Sequence, residues 1–280
     1  MMAGASMNDI KARIKSVSGT MQITRAMELV ATSKLRLAKQ RSEKCAKYAQ
    51  VVGEAMRKMA SSAECANLPW LTKREEGRTL YIVIAGDRGL AGGFNSNVFK
   101  LTRLRDEGNS LYLPIGKKAQ EYYARRGKEI YDESFAYTQN VSVGDCLIAA
   151  EKIAADYLSG KINRVVLVYT EFISMLTQTP AAKTLLPLEA ESVAEDFEPI
   201  FDGNPEEFLF SIVKDFLGGR IFSASSESYA SELAARRTAM NSANKNAEEM
   251  INSLMLKFNR ARQAVITQEI TEIVSGAEAL

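Results

Sequence analysis

The stretch Ile10-Lys-Ala-Arg-Ile14-Lys-Ser-Val17-Ser-Gly-Thr-Met21-Gln-Ile-Thr24-Arg-Ala-Met27 sets mostly apolar side chains at steps of 4-3-4-3-3, and Val30 follows at the same interval. Such spacing lays one apolar stripe along one face of a helix. A second stripe stands near the other end of the chain, in Ala247, Ile251, Leu254, Phe258, Ala261 and Val265. Neither glycine nor proline interrupts residues 20–52. No proline occurs after Pro205, and no glycine between Arg220 and Ser275. At 1.5 Å per residue, helices over 6–60 and 206–279 would run ~80 and ~110 Å, the second interrupted at Gly218-Gly219. Neither helix can bury its stripe alone. The economical arrangement is an antiparallel coiled coil of the two termini.

Between them the pattern changes. Leu80–Ala85, Ser110–Ile115 and Arg164–Thr170 are continuous apolar, β-branched runs. Helical stretches over 95–107, 117–126 and 144–159 separate them. Apolar strands alternating with helices predict a buried, mostly parallel sheet, so residues 75–200 read as a small α/β domain set between the helices.

Composition narrows the chemistry. The chain has 280 residues, 46% apolar and 25% charged, which excludes a disordered or collagen-like protein. Histidine is absent, removing imidazole ligands, Ser-His-Asp triads and histidine bases. Cys45, Cys65 and Cys146 are far apart, with no CxxC, so neither a thiolate zinc site nor a disulfide framework is expected. Scattered thiols suit a reducing compartment. No run approaches 18 apolar residues, so no membrane span is expected, and Met1–Ala5 is too short and weakly apolar for a signal peptide.

Net charge is only +2, but residues 1–60 hold 12 basic against four acidic side chains. The cations Lys34, Arg36, Lys39, Arg41, Lys44 and Lys47 fit either a solvated face or an acidic protein partner. Nucleic acid is disfavoured, since Tyr48 is the only aromatic in that segment available to stack on bases. Lys117-Lys118 and Arg125-Arg126 read as a solvated face. Near the C-terminus Val265, Ile266, Ile270, Ile273 and Val274 occupy more than one helical face, more than one seam can bury. The Ser/Ala-rich stretch 223–235 permits close helix packing.

The loop Gly86-Asp-Arg-Gly-Leu-Ala-Gly-Gly-Phe-Asn95 follows the first strand. Its G-x-x-G-x-x-G-G spacing matches neither the dinucleotide fingerprint nor the P-loop, so it reads as a tight turn or a backbone approach to a partner. No nucleophile–base pair, carboxylate dyad or metal cluster emerges, and no cofactor is expected. A dinucleotide enzyme would have to bind its ligand at Gly86–Gly93, and a nucleic-acid tether would show salt-sensitive affinity.

Three motifs carry a family resemblance. Gln22-Ile-Thr-Arg-Ala-Met-Glu-Leu-Val-Ala-Thr-Ser-Lys-Leu35 resembles the N-terminal helix of the gamma subunits of F-type ATP synthases. Ala261-Arg-Gln-Ala-Val-Ile-Thr-Gln-Glu-Ile-Thr-Glu-Ile-Val-Ser-Gly-Ala277 is similar to that family's C-terminal signature, and Gly86–Asn95 to its Asp-Arg-Gly-Leu…Gly-Gly-Phe-Asn element. The resemblance covers essentially the whole chain.

It implies a non-catalytic shaft of a proton-translocating (or sodium-translocating) ATP synthase. The fold would be a long antiparallel coiled coil with an inserted α/β, Rossmann-like domain. The boundaries would be 1–60, 61–203 and 204–280. The coiled coil would turn inside a ring of alpha and beta subunits. The inserted domain would sit at the foot against the epsilon subunit and the membrane c-ring. That place is peripheral, on the cytoplasmic face of a bacterial membrane. By the same resemblance, Met27 lies near an acidic loop of beta, and Arg236, Gln263 and Thr267 meet the head. Ile266, Ile270, Ile273 and Val274 form a tip in an apolar bearing, and Asp87, Arg88, Gly92 and Gly93 shape the foot-domain loop. Gly19 and Ala91 depart from the family's usual residues. Gly19 would cost ~1 kcal/mol of helix preference and mark a local kink. Without paired cysteines in the middle domain, a chloroplast-type thiol switch is not expected.

Overall fold

The computed structural model describes residues 7–62, 68–74, 76–188 and 205–278. Met1–Ala5, Ser6, Cys65 and Ala279 lie outside them. Helix α1 runs Met7–Ala60, followed by β1 Arg78–Ile84, α2 Phe94–Arg105, β2 Ser110–Ile115 and α3 Lys117–Ala124. After a single 3-10 turn at Thr138–Asn140 come α4 Val143–Leu158, β3 Ile162–Phe172, β4 Gln178–Leu186 and α5 Pro205–Glu278.

Two compact units divide the chain. One holds Thr32–Arg236; the other joins the residues up to Ala31 with those from Arg237 onward. In the first, four strands lie in the order β2-β1-β3-β4. β1 pairs in parallel with β2 and β3, and β4 pairs antiparallel with β3. Alternation along each strand sorts side chains to two faces. Leu80, Ile82, Ile84, Leu113, Val165 and Leu167 join Ile153 and Tyr157 of α4, Met56 of α1 and Leu217 of α5 in one core. Tyr81, Val83, Tyr112 and Val168 join Val98 of α2 and Tyr123 of α3 in the other. Each such side chain taken from water contributes roughly 1.5–3 kcal/mol. The helix α4 starts on a capping box: Ser142 Oγ accepts from the Asp145 N–H at 3.1 Å, and Asp145 Oδ2 accepts from the Ser142 N–H.

The strand β4 was not expected. Its sequence, Gln-Thr-Pro-Ala-Ala-Lys-Thr-Leu-Leu, carries Pro180 and Lys183, residues that an edge strand tolerates and a central strand does not. The expected interruption at Gly218-Gly219 does not occur, because α5 continues through both. A Cβ on Gly218 would lie 2.8 Å from Leu147 Cδ2 and 3.3 Å from Leu147 Cα, and one on Gly219 would lie 3.1 Å from Tyr48. The two glycines bring neighbours close to α5 and do not end it. Helix α1 likewise passes through Gly19 as one element.

In the second unit the two helical segments run antiparallel. Glu28 accepts from Asn241 Nδ2 at 3.1 Å and from Asn244 Nδ2 at 2.8 Å, and Thr24 donates to Asn244. Positions therefore fall on α5 as they rise on α1.

Candidate functional site

The seam of the terminal pair has the stripe residues at its centre. Ile10, Ala31 and Leu254 are buried, and Ile14, Val17, Met21, Met27, Ile251, Phe258 and Ala261 are partly buried. Val30 and Val265 are the exceptions, at 57% and 41% exposure. The contacts of Thr24 and Glu28 set a register in which Met7 faces the turn around Ala261. Described residues of α5 beyond that turn have no described α1 residue opposite them. They are exposed: Val265, Ile266, Ile270, Ile273 and Val274 keep between 41% and 71% of their surface open. Gln263 and Thr267 are exposed on the same segment, and the Thr267 hydroxyl donates back to the Gln263 carbonyl at 2.8 Å. The tip thus presents exposed apolar side chains interleaved with exposed polar ones.

The loop 86–95 is built from the carboxyl end of β1. Asn95 Oδ1 accepts from the Gly86 N–H at 2.8 Å, and its amide donates to the Arg88 carbonyl. Asp87 Oδ1 accepts from the Thr138 N–H at 2.8 Å, and Thr138 Oγ1 donates to the Ala85 carbonyl. Gly116 takes φ +95 where a Cβ would strike the Ala85 carbonyl at 2.2 Å. Leu90 has φ 62, the one positive φ at a non-glycine residue among those described, and is 64% exposed. Gly92 also has positive φ, and Gly93 precedes α2 as its N-cap. Arg88 is exposed and Asp87 partly buried.

What closes on this loop is α5. A Cβ on Gly86 would lie 2.6 Å from the Glu232 carboxyl carbon. Glu232 is 2% exposed and pairs with Arg236 at 2.5 Å. Burial pushes the Glu232 carboxyl above its ordinary range, against the pull of the Arg236 guanidinium and the Arg88 N–H. Arg236 also reaches the Gly89 carbonyl at 3.4 Å and is itself 8% exposed. In the chain itself, Arg236, expected to meet the head, is held by Glu232 and the Gly89 carbonyl. Nearby, Ser231 Oγ donates to the Thr170 carbonyl at 3.2 Å, and the Phe172 N–H donates to Glu227 at 3.0 Å.

Sequence order β2-β1-β3 puts a topological switch point between β1 and β3, where open α/β sheets bind ligands beyond the carboxyl ends of their strands. Here Glu232 stands against Gly86 and Ser231 against Thr170, so α5 fills that crevice with its own carboxylate. An anionic nucleotide would have to displace a buried ion pair, and breaking such a pair costs about 3–5 kcal/mol. Sequence reasoning missed Glu232. The available signal was its i,i+4 spacing to Arg236 inside the run of small residues 223–235, five of whose serines are buried.

Among the described residues no group of three or more His, Cys, Asp or Glu could hold a metal ion, and no helix is long and apolar enough to cross a membrane. Cys45 and Cys146 are free, and burial pushes the Cys146 thiol up to about 12, which makes it inert. A cavity of about 540 Å³ between α1, the sheet and α5 is lined by charges of both signs, and its Lys183 already binds Glu171 at 2.6 Å.

Residues 6–280 match the family model described as ATP synthase. The ATP synthase gamma chain of Ruminococcus albus is 43% identical over 281 residues, 98% of each chain. The gamma chain of Acetobacterium woodii, described as sodium ion specific, is 37% identical over 298 residues, covering 98% of this chain and 99% of that one. A chain of the Euglena gracilis mitochondrial ATP synthase structure containing OSCP, F1 and c-ring superposes with a TM-score of 0.68. It covers 99% of this chain and 95% of that one at 19% identity, a likeness of fold.

Proposed function

This chain belongs to the ATP synthase gamma-chain family, and from that membership we propose that it is the rotating central shaft of such a complex. The observation that carries the reading is likeness to bacterial gamma chains along the full length of both partners. Catalysis belongs to other subunits; this chain's part is mechanical. Its coiled coil turns within the alpha and beta subunits, and its α/β domain forms the foot on epsilon and the c-ring. Ion flow through the ring turns the foot. The asymmetric shaft then offers each beta site a different face, and such differential contact is what any coupled change of state requires. The chain is peripheral, at the cytoplasmic face of a bacterial membrane. No cofactor has a role here.

Three features support this work. The tip carries a stripe of apolar side chains and leaves Ile266, Ile270, Ile273 and Val274 open, as a bearing contact requires. The basic cluster of α1 is complementary to an acidic partner, with Met27 near it and Gln263 and Thr267 below the tip as polar contacts to the head. Loop 86–95 is tied by Asn95 accepting from the Gly86 N–H and by Asp87 accepting from the Thr138 N–H, and its residues Asp87, Arg88, Gly92 and Gly93 belong to the foot in this reading. The test is co-purification from the native membrane through a tag on this chain. A stoichiometric complex with alpha and beta subunits is expected, and recovery of the chain alone or with nucleic acid would refute the reading.

A further inference from the structure

A rotating shaft needs two opposite kinds of contact. Where it turns against its housing, the contact must slide. Where the foot drives the helix, it must not. Apolar burial is non-directional and permits sliding, whereas hydrogen bonds and ion pairs are fixed in angle and distance.

The sheet shares an apolar core with α5 through Leu217 and Ile221, and at its strand ends it adds contacts of the second kind. Glu227 accepts from the Phe172 N–H, Ser231 donates to the Thr170 carbonyl, and the Glu232 carboxyl group lies against Gly86. These positions occupy little more than one turn of α5, and their partners lie at or beyond the carboxyl ends of β1 and β3. Glu232 is the most enclosed, with Arg236 one turn further holding its carboxylate and reaching Gly89. Gly86 is the notch that admits it: any side chain there meets the carboxyl group.

We propose that Glu232, seated in the notch at Gly86 and held by Arg236, is the key that locks the foot domain to the C-terminal helix, and that torque entering the foot reaches the shaft through it. The proposal rests on the shaft reading above. The ligand crevice of the α/β domain takes as its occupant the helix it must drive. Glu232 and Arg236 are positioning residues: they touch no reacting atom and act by fixing the angle between sheet and helix.

Three variants test the lock in complexes reconstituted into vesicles, scored by ions pumped per ATP hydrolysed. Gly86→Ala drives a wedge against the carboxyl group. Gly86→Ala with Glu232→Asp shortens the key by one methylene and makes room for the wedge. Glu232→Ala with Arg236→Ala removes the key without stranding a buried charge. The wedge and the removal are expected to hydrolyse ATP while losing part of the pumping per ATP, and the shortened key to recover it. A merely structural role would lower the yield of complex but leave the ratio unchanged in what assembles. Hydrogen exchange on the full-length chain gives a second readout: the amides of loop 86–95 should exchange faster in the removal variant. Parental pumping per ATP in the removal variant overturns the proposal, as does a shortened key no better than the wedge alone. If the wedge does not assemble, the removal variant decides. If the parent itself fails to associate with alpha and beta, the shaft reading fails, and the exchange result still reports whether the contact exists.

Discussion

Three glycines in the long helices separate helix preference from packing. Replacing glycine by alanine inside a helix gains about 1 kcal/mol if nothing is touched. Gly19 meets that condition, since an added Cβ has no neighbour within 4 Å. Gly19→Ala should therefore raise stability by about that amount. At Gly218 the added carbon would press on Leu147, including its Cα, and on the Cys146 carbonyl carbon at 3.4 Å. Backbone cannot swing away, so an overpacking cost of about 1–3 kcal/mol exceeds the helix gain, and Gly218→Ala should destabilise. Gly219 faces only the ring of Tyr48, which is 55% exposed and free to yield, so its substitution should be close to neutral. Urea unfolding of the three single variants checks the order. Equal effects at 19 and 218 would mean that the close approach of α4 to α5 carries no cost.

The joint between α2 and β2 depends on one carboxylate. Asp106 accepts from Ser110 Oγ at 2.7 Å, from the Gly108 N–H at 3.0 Å, from Lys128 Nζ at 3.1 Å and from the Tyr112 hydroxyl. Burial alone would raise its pKa, but these donors outweigh burial and hold it down at about 2, against an ordinary 3.8. A depressed carboxyl stabilises the fold above its unfolded value and loses that contribution as pH falls. The loss should thus fall between about pH 4 and pH 2 and, with solvent screening allowed for, amount to about 1 kcal/mol. Stability of Asp106→Asn measured across that window should be lower at neutral pH and flatter; a parental slope would remove Asp106 from the account. Sequence disclosed such elements unevenly. Strands β1, β2 and β3 were readable because burial on both faces leaves continuous apolar runs such as Leu80–Ala85. The fourth was not, because an exposed edge admits Pro180 and Lys183 and so resembles a loop. The key at Glu232 was hidden for a related reason: what defines it is the notch at Gly86, 146 positions away, and periodicity reports only neighbours on the same helix. The apolar tip was readable, because its excess over one seam is a property of the segment itself.

The proposed shaft adds directional contacts to an apolar core at the foot and leaves apolar side chains open at the tip, and this difference separates the folding of the chain from its work in the complex. Ile270 is 56% exposed in the chain itself, so neither Ile270→Ala nor Ile270→Asp should alter the unfolding of the isolated protein beyond about 0.5 kcal/mol. Inside an apolar sleeve the two part company. Alanine removes some dispersion contact but leaves a surface that still excludes water and slides, so assembly and ATP turnover should stay close to parental. Aspartate carries a charge into surroundings without a partner, at a cost of several kcal/mol, or must be protonated to enter. Assembly should then be impaired for Ile270→Asp alone, and eased as pH is lowered toward the carboxylate range. The measurement is yield and ATPase activity of purified complexes for both variants, set beside the unfolding of the free chains. A penalty that appears in the free chain would make Ile270 part of the fold, and an Asp variant that assembles and turns over like the parent while Ala does not would remove the bearing.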